Sequence, residues 1–384
     1  MIKAINAYTN NIESPEFAVS EIREQLNWLV NKRANAVGIV TCHSDFLDNG
    51  TVELLAQDSP FDIVGITTIF SGSQSHNGAE GLTLQVLTSD EEVFVTKFSE
   101  PLTEDSEAGV KRAYKEAVSE MRAHPTMMFT FAPLPKTVPG DDIVRWLDEI
   151  SDGVPNFGAL AIDSTLDFSQ SRSIFNGDYS WNRIALVLVY GNVSPRFLVS
   201  ELPEINMLPG QGVVTGANVN VLTEVDGAPL LQYLDSLGLI SEGMITIEDK
   251  PFFFDSGDGS KPIARALLFI TDEGNGVLGG RVHVGDTIRI GVNSYEDVVN
   301  SAKLMFDTAF NLPNVSNIVS CSCMSRFFCL GENTSGEIDM AATASGGNVP
   351  FIIGYTGGEI CPVPTATGES VNRFHNFTLT ACVF

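Results

Sequence analysis

The chain is poor in positive charge. Its 384 residues hold 22 lysines and arginines against 48 aspartates and glutamates, a formal net charge of −26. Such a surface repels nucleic-acid phosphates and anionic membrane surfaces, so both partners are excluded from the expected function. Charged residues of either sign make up only 18%, while apolar residues make up 43%. That balance excludes a disordered chain and supplies a sizeable core. No apolar run reaches the roughly 18 residues of a membrane span. The start, MIKAINAYTNNIESPEF, lacks the apolar segment and small-residue cleavage site of a secretory signal. A cytoplasmic location is therefore expected. Cysteines number six and histidines five. Six thiols in a long chain without a leader are no disulfide framework.

Several motifs are missing as well. There is no Gly-x-Ser-x-Gly elbow, no phosphate-binding Gly-x4-Gly-Lys-Ser/Thr and no His-Glu-x-x-His. A literal GxGxxG does occur at Gly274, Gly276 and Gly279, but the alternating segment RVHVGDTIRI follows it instead of a helix. It reads as a hairpin loop. The stretch FDSGDGSKP at 254–262 lacks the distal glutamate of a calcium loop and reads as a polar turn.

What is present alternates between helix and strand patterns. Ser14-Pro15 opens a helix with Val19, Ile22, Leu26 and Leu29 on one face. Further helices are expected at 110–121, from Asp141-Asp142 to Ile150, at 229–237 and at 294–310. Strands are expected at 36–41, 61–66, 126–131, 184–190, 265–270, 281–290, 317–323 and 351–354. Several are continuous apolar runs, as in sheets covered on both faces. A faint repeat joins them. AVGIVTC leads to FDIVGITT, TMMFTFAP to NFGALAIDS, and NIVSCSC to PFIIGYTGGE, each second strand carrying a glycine, Gly65, Gly158 or Gly354. The alternative is coincidence among α/β elements. The expected fold is α/β or α+β, two related domains with mixed sheets flanked by helices. The boundary is placed near Asn218–Val225, between the Gly/Pro-rich segment LPGQGVVTGAN and the helix expected from Pro229, giving domains 1–224 and 225–384.

Chemistry concentrates near the C-terminus. Cys321 and Cys323 lie two apart in an expected strand, with Cys329, Cys361 and His375 following. They read as buried packing or as soft metal ligands. Arg326 follows Cys323 by three residues, and Glu359 stands in the side-chain-poor loop GYTGGEICP. Arg326 either grips a ligand carboxylate or pairs structurally with Glu359.

CMSRFFCLG, PFIIGYTGGEICP and HNFTLT together resemble the closing signature of the FIST family, the F-box and intracellular signal transduction proteins. The matching residues are Cys323, Arg326, Leu330-Gly331, Gly354-Tyr355-Thr356, Gly358-Glu359-Ile360, Pro362 and His375-Asn376. VGITT at 64–68, FGALAIDS and VDGAPLLQYLDSLG resemble further family segments, so the likeness spans about 20–382. Ile66 replaces a family cysteine, and two departures stand out: Cys361 stands where glycine is frequent, and the output region that many relatives carry is not expected in this sequence. The resemblance implies a sensory module for a small molecule, amino acids among the candidates, signalling through a separate protein partner. The ligand-binding residues it implies are Cys323, Arg326, Tyr355, Thr356, Gly358, Glu359, Cys361, His375 and Asn376. No cofactor is required, although haem or a metal is possible for such a sensor. The competing reading is an enzyme with Cys323 or Cys361 as nucleophile, assisted by His375 and Glu359.

Overall fold

The computed structural model describes residues 2–384 except 27–34, 58, 103–104, 122, 135–137, 166–167, 201–205, 242–243, 246–248 and 256–260. Leu29 and most of the calcium-like loop therefore lie outside the described residues. Three successive units share one plan. The first runs β1 (Lys3–Thr9), α1 (Pro15–Leu26), β2 (Asn35–Cys42), α2 (Asp45–Asp48), α3 (Thr51–Gln57), β3 (Asp62–Thr67), β4 (Ser71–Ser73), β5 (Asn77–Gly78) and β6 (Leu82–Ser89). The second runs β7 (Phe94–Phe98), α4 (Ser106–Ser119), β8 (Met127–Ala132), α5 (Gly140–Ser151), β9 (Asn156–Leu160), β10 (Ser173–Phe175), β11 (Asp178–Ser180) and β12 (Ala185–Val189).

The third unit opens with β13 (Arg196–Val199) and is then interrupted. The insertion holds β14 (Gly212–Asn218), β15 (Val221–Val225), β16 (Ala228–Pro229), α6 (Leu230–Ser236), β17 (Ile240–Ser241), β18 (Met244–Ile245), β19 (Phe252–Asp255), β20 (Ile263–Arg265), β21 (Leu267–Ile270), β22 (Gly276–Leu278) and β23 (Thr287–Ile290). The unit resumes with α7 (Tyr295–Phe310), β24 (Ile318–Cys323), α8 (Met324–Leu330), α9 (Gly336–Ser345), β25 (Phe351–Thr356), β26 (Glu359–Pro364), β27 (Ser370–His375) and β28 (Leu379–Val383).

Each unit centres on a parallel pair joined through helix: β2 with β3, β8 with β9, β24 with β25. These are the three strand pairs of the sequence repeat. The crossover helices cover the outer face of each sheet, as parallel pairing requires. The repeated glycines have a steric cause. At Gly158 an added Cβ would stand 1.9 Å from the carbonyl oxygen of Thr130 on the neighbouring strand.

The hairpin after each parallel pair leaves its own unit. β4–β5 joins β25 of the third unit, β10–β11 joins β3 of the first, and β26–β27 joins β9 of the second. The last strand of each unit then returns to its own sheet: β6 beside β2, β12 beside β8, β28 beside β24. The result is three six-stranded sheets tied by cyclic exchange. A boundary at 224/225 falls inside β15 of the insertion, and strands cross between the two expected halves on both sides of it.

Side-chain alternation explains the apolar runs. On β8, Met127, Phe129 and Phe131 point to a core shared with Val37, Ile39, Val64 and Ile66 of the first sheet and Val319, Cys321 and Ile352 of the third. Met128 and Ala132 point outward beneath α4 and α5. Helices α1 to α3 cover the first sheet and α7 to α9 the third. The insertion has a separate core, including Val214, Leu222, Leu234, Phe252 and Ile288.

The GxGxxG segment is a hairpin, β21 pairing antiparallel with β22. Two expected strands are shorter than their patterns. The segment expected at 281–290 is strand only from Thr287, because Arg281, His283 and Asp286 are held in the preceding loop by side-chain hydrogen bonds. The strand expected at 265–270 breaks at Ala266. Among the described residues no helix is long and apolar enough to cross a membrane.

Candidate functional site

β25 belongs to the third sheet, and β26 pairs with the second. The chain crosses between them at Gly357-Gly358. Gly357 N–H donates to Leu160 O at 2.8 Å, and Leu160 N–H donates to Gly358 O at 2.9 Å. Gly358 has φ of +137°, and an added Cβ would meet the Phe374 ring at 2.4 Å. The loop is bare because two sheets exchange a strand there.

Glu359 begins the exchanged strand and is fully buried. Its Oε1 accepts from the Thr356 hydroxyl at 2.9 Å and its Oε2 from Thr378 at 2.8 Å. Burial holds its carboxyl well above the ordinary value, against the lowering effect of those hydroxyls and of the Arg326 charge.

Arg326 does not pair with Glu359. Its Nε and Nη2 donate to Glu337 Oε1 at 2.9 and 2.6 Å, and Nη2 also donates to Val298 O and Ser301 Oγ at 3.0 Å. Glu337 Oε2 accepts from Ser322 at 2.6 Å. One buried ion pair thus fastens α7, α8, α9 and β24 together. Glu337 went unnoticed in the sequence because an acid in the first turn of a helix ordinarily complements the helix dipole at the surface. The signal available was the arginine itself, which cannot be buried without an acid.

The remaining expected residues spread over several environments. Tyr355 packs under α8 against Phe70 and Phe327. Thr356 serves Glu359. Cys323 ends β24, and burial first, then the Glu359 charge, pushes its thiol up to about 12. Cys361 lies in the shared core with Cys321 and Cys382, its thiol raised well above the ordinary value by burial. Thiols shifted in that direction are packing groups, not ready nucleophiles. Among the described residues, no three His, Cys, Asp or Glu side chains gather as a metal site. Asn376 accepts weakly from Ala266 N–H of the insertion at 3.4 Å and backs Gly279. His375 shares a 3.3 Å hydrogen bond with Cys361 O, and burial lowers its ring to about 4, so it is neutral near pH 7. The neutral ring therefore donates through Nε2.

His375 and Thr378 lead to an opening. They border a cleft of about 670 Å³ between the three-sheet core and the insertion. Phe197, Pro362 and Phe377 form the core wall, and Phe253 and Arg289 face them from the insertion. This volume suits a small organic ligand. Thr378 links the cleft to Glu359 behind it. Neither Phe253 nor Arg289 belonged to the sequence-derived site. They lie in an inserted sheet whose docking onto the core leaves no local pattern.

On the far side of β20 the insertion is fastened to α5. Arg281 makes two 2.8 Å hydrogen bonds to the two oxygens of Asp142, and the buried Arg265 pairs with Asp141. A second cleft of about 600 Å³ lies there, and most of its lining groups are charged.

Two family models match the chain. The FIST N domain matches residues 36–228 and the FIST C domain residues 229–362, meeting within the insertion. A search of curated proteins gave no match. Among solved structures, a cyanuric acid hydrolase from A. caulinodans aligns over 100% of this chain and 99% of its own. Its 8% identity and TM-score of 0.33 carry no argument. With both family domains in order across most of its length, the chain belongs to the FIST family of signal-transduction sensory domains.

Proposed function

We propose that this sensory protein binds its small-molecule ligand in the cleft between the three-sheet core and the insertion, and signals through a separate protein partner. The observation that carries this reading is the cleft itself. It is large enough for an amino acid or a bigger organic molecule, is walled by aromatic and proline side chains, and lies between two separately cored bodies. Ligands between such bodies alter how the bodies sit against each other, which is a signal a partner can read. Of the residues implied by family resemblance, His375 reaches the cleft directly and Glu359 through Thr378. Arg326 is committed to Glu337 and serves the scaffold. The raised thiols of Cys323 and Cys361 favour sensing over cysteine catalysis.

The test is native mass spectrometry of the whole chain as purified and after incubation with an amino-acid mixture, beside the Pro364→Trp and Ala264→Trp variants, which fill the cleft from its rim and from β20. Added mass in the wild type that disappears in a folded variant is expected. Added mass that persists in both folded variants would refute the location.

A further inference from the structure

The charges around the cleft run against the composition of the chain. Acids outnumber bases by 48 to 22 overall, yet among the described residues the lining of this opening includes Arg289 and Lys261 and no aspartate or glutamate. The carboxyl behind Thr378, Glu359, is turned away into hydrogen bonds from Thr356 and Thr378. His375 is neutral and adds no cation.

Among the described arginines, some hold a carboxylate, while Arg172 and Arg196 donate to backbone carbonyls. Arg145, Arg183, Arg265, Arg281 and Arg326 each hold a carboxylate. Arg289 holds none among the described residues, though it is half-buried in a strongly acidic protein. Its position is fixed by the sheet. β23 lies between β14 and β19, and Arg289 stands directly opposite Phe253 in the β19 register. Directly opposed residues project from the same face. A guanidinium and an aromatic ring are thus set side by side, facing Phe197 and Phe377 across the opening.

We infer that the cleft takes an amphipathic organic anion, a single carboxylate on an apolar body, with Arg289 as the head-group anchor. This rests on the cleft reading above. A guanidinium offers two parallel N–H donors that match a carboxylate. Phe253, Phe197 and Phe377 bury the apolar body. Lys261 has a partner of its own, which leaves the Arg289 guanidinium to balance one negative charge, so a monoanion leaves less uncompensated charge in this apolar opening than a dianion does.

The test is isothermal titration of the whole chain with hydrocinnamate, its neutral amide and the cationic phenylpropylamine. Hydrocinnamate is expected to bind roughly tenfold or more tightly than the amide, as a charge-assisted bond implies. Arg289→Gln brings the acid to the level of the amide and leaves the amide unchanged, and Arg289→Lys restores part of the difference. Equal binding of acid and amide, tighter binding of the amine, no binding of the acid, or an acid indifferent to Arg289→Gln would each overturn the anion inference. Pro364→Trp separates the two readings: if it abolishes whichever compound binds, the cleft stands and only the ligand class falls.

Discussion

At the scale of single residues, two buried carboxyls with opposite roles dominate the third unit. Glu337 is the counter-charge of a fully buried arginine, so removing its charge leaves Arg326 uncompensated. Glu337→Gln is expected to lose about 3–5 kcal/mol of stability in urea unfolding, with Arg326→Met and Glu337→Gln together losing less than the sum. A loss below 1 kcal/mol would mean that the pair is not buried as described. Glu359 behaves in the opposite sense. Its folded carboxyl titrates well above the ordinary value near 4.5. Above that ordinary value the unfolded chain releases its proton while the folded one keeps it, so this group loses stability as pH rises. Glu359→Gln keeps one acceptor for Thr378 and offers an amide to Thr356. It is expected to match or exceed the wild type at pH 7 and to fall below it, relative to that difference, at pH 4. A marked loss at pH 7 would show that the charged form is required. The sequence made Glu359 visible as an acid in a glycine-rich loop, but Glu337 passed unnoticed and the pairing was not legible there. Arg326 was read beside Glu359 because their motifs belong together. The contact that forms is with Glu337, eleven residues on, where a short helix folds back.

At the scale of elements, the parallel pairs were legible and the exchanged hairpins were not. An apolar strand, a helical stretch and a second apolar strand give a pattern that can be read locally, because each strand is covered on both faces. β4 and β5 hold three and two residues and β10 and β11 three each. Strands so short have no readable period, and their partners lie in another unit. The insertion was hidden for a related reason, since its strands alternate like any others. The crossing at Gly357-Gly358 gives the most direct test of exchange. Gly358→Ala introduces both a strained backbone and a clash with Phe374, an expected loss of about 2–5 kcal/mol. Gly368→Ala, also at positive φ but with open space around it, should lose roughly 1 kcal/mol. Equal, small losses in chemical denaturation would mean that the crossing tolerates a side chain and that the glycines are there for another reason.

At the scale of the whole molecule, the family domains and the physical modules divide the chain differently. FIST N and FIST C meet at 228/229, between the two residues of the short strand β16 and within the insertion. β14 and β15 lie on one side of that point, and β19 to β23 on the other, yet they share one core. The three-sheet core is also shared across it: β9 needs β26, β25 needs β4, and β28 needs β13. A chain ending at 228 would leave β9 and the β4–β5 hairpin without their partners and cut the insertion in two. The segment 206–293, by contrast, carries the whole inserted sheet and its own apolar core, and its ends lie close together, since Met207 bridges Gly291. The first fragment is therefore expected to lack fixed side-chain packing, with weak near-ultraviolet dichroism and no cooperative melt, while the second melts cooperatively alone. The reverse result, a cooperative 1–228 and an unfolded 206–293, would show that the family boundary is the folding boundary and that strand exchange adds little to holding the core together.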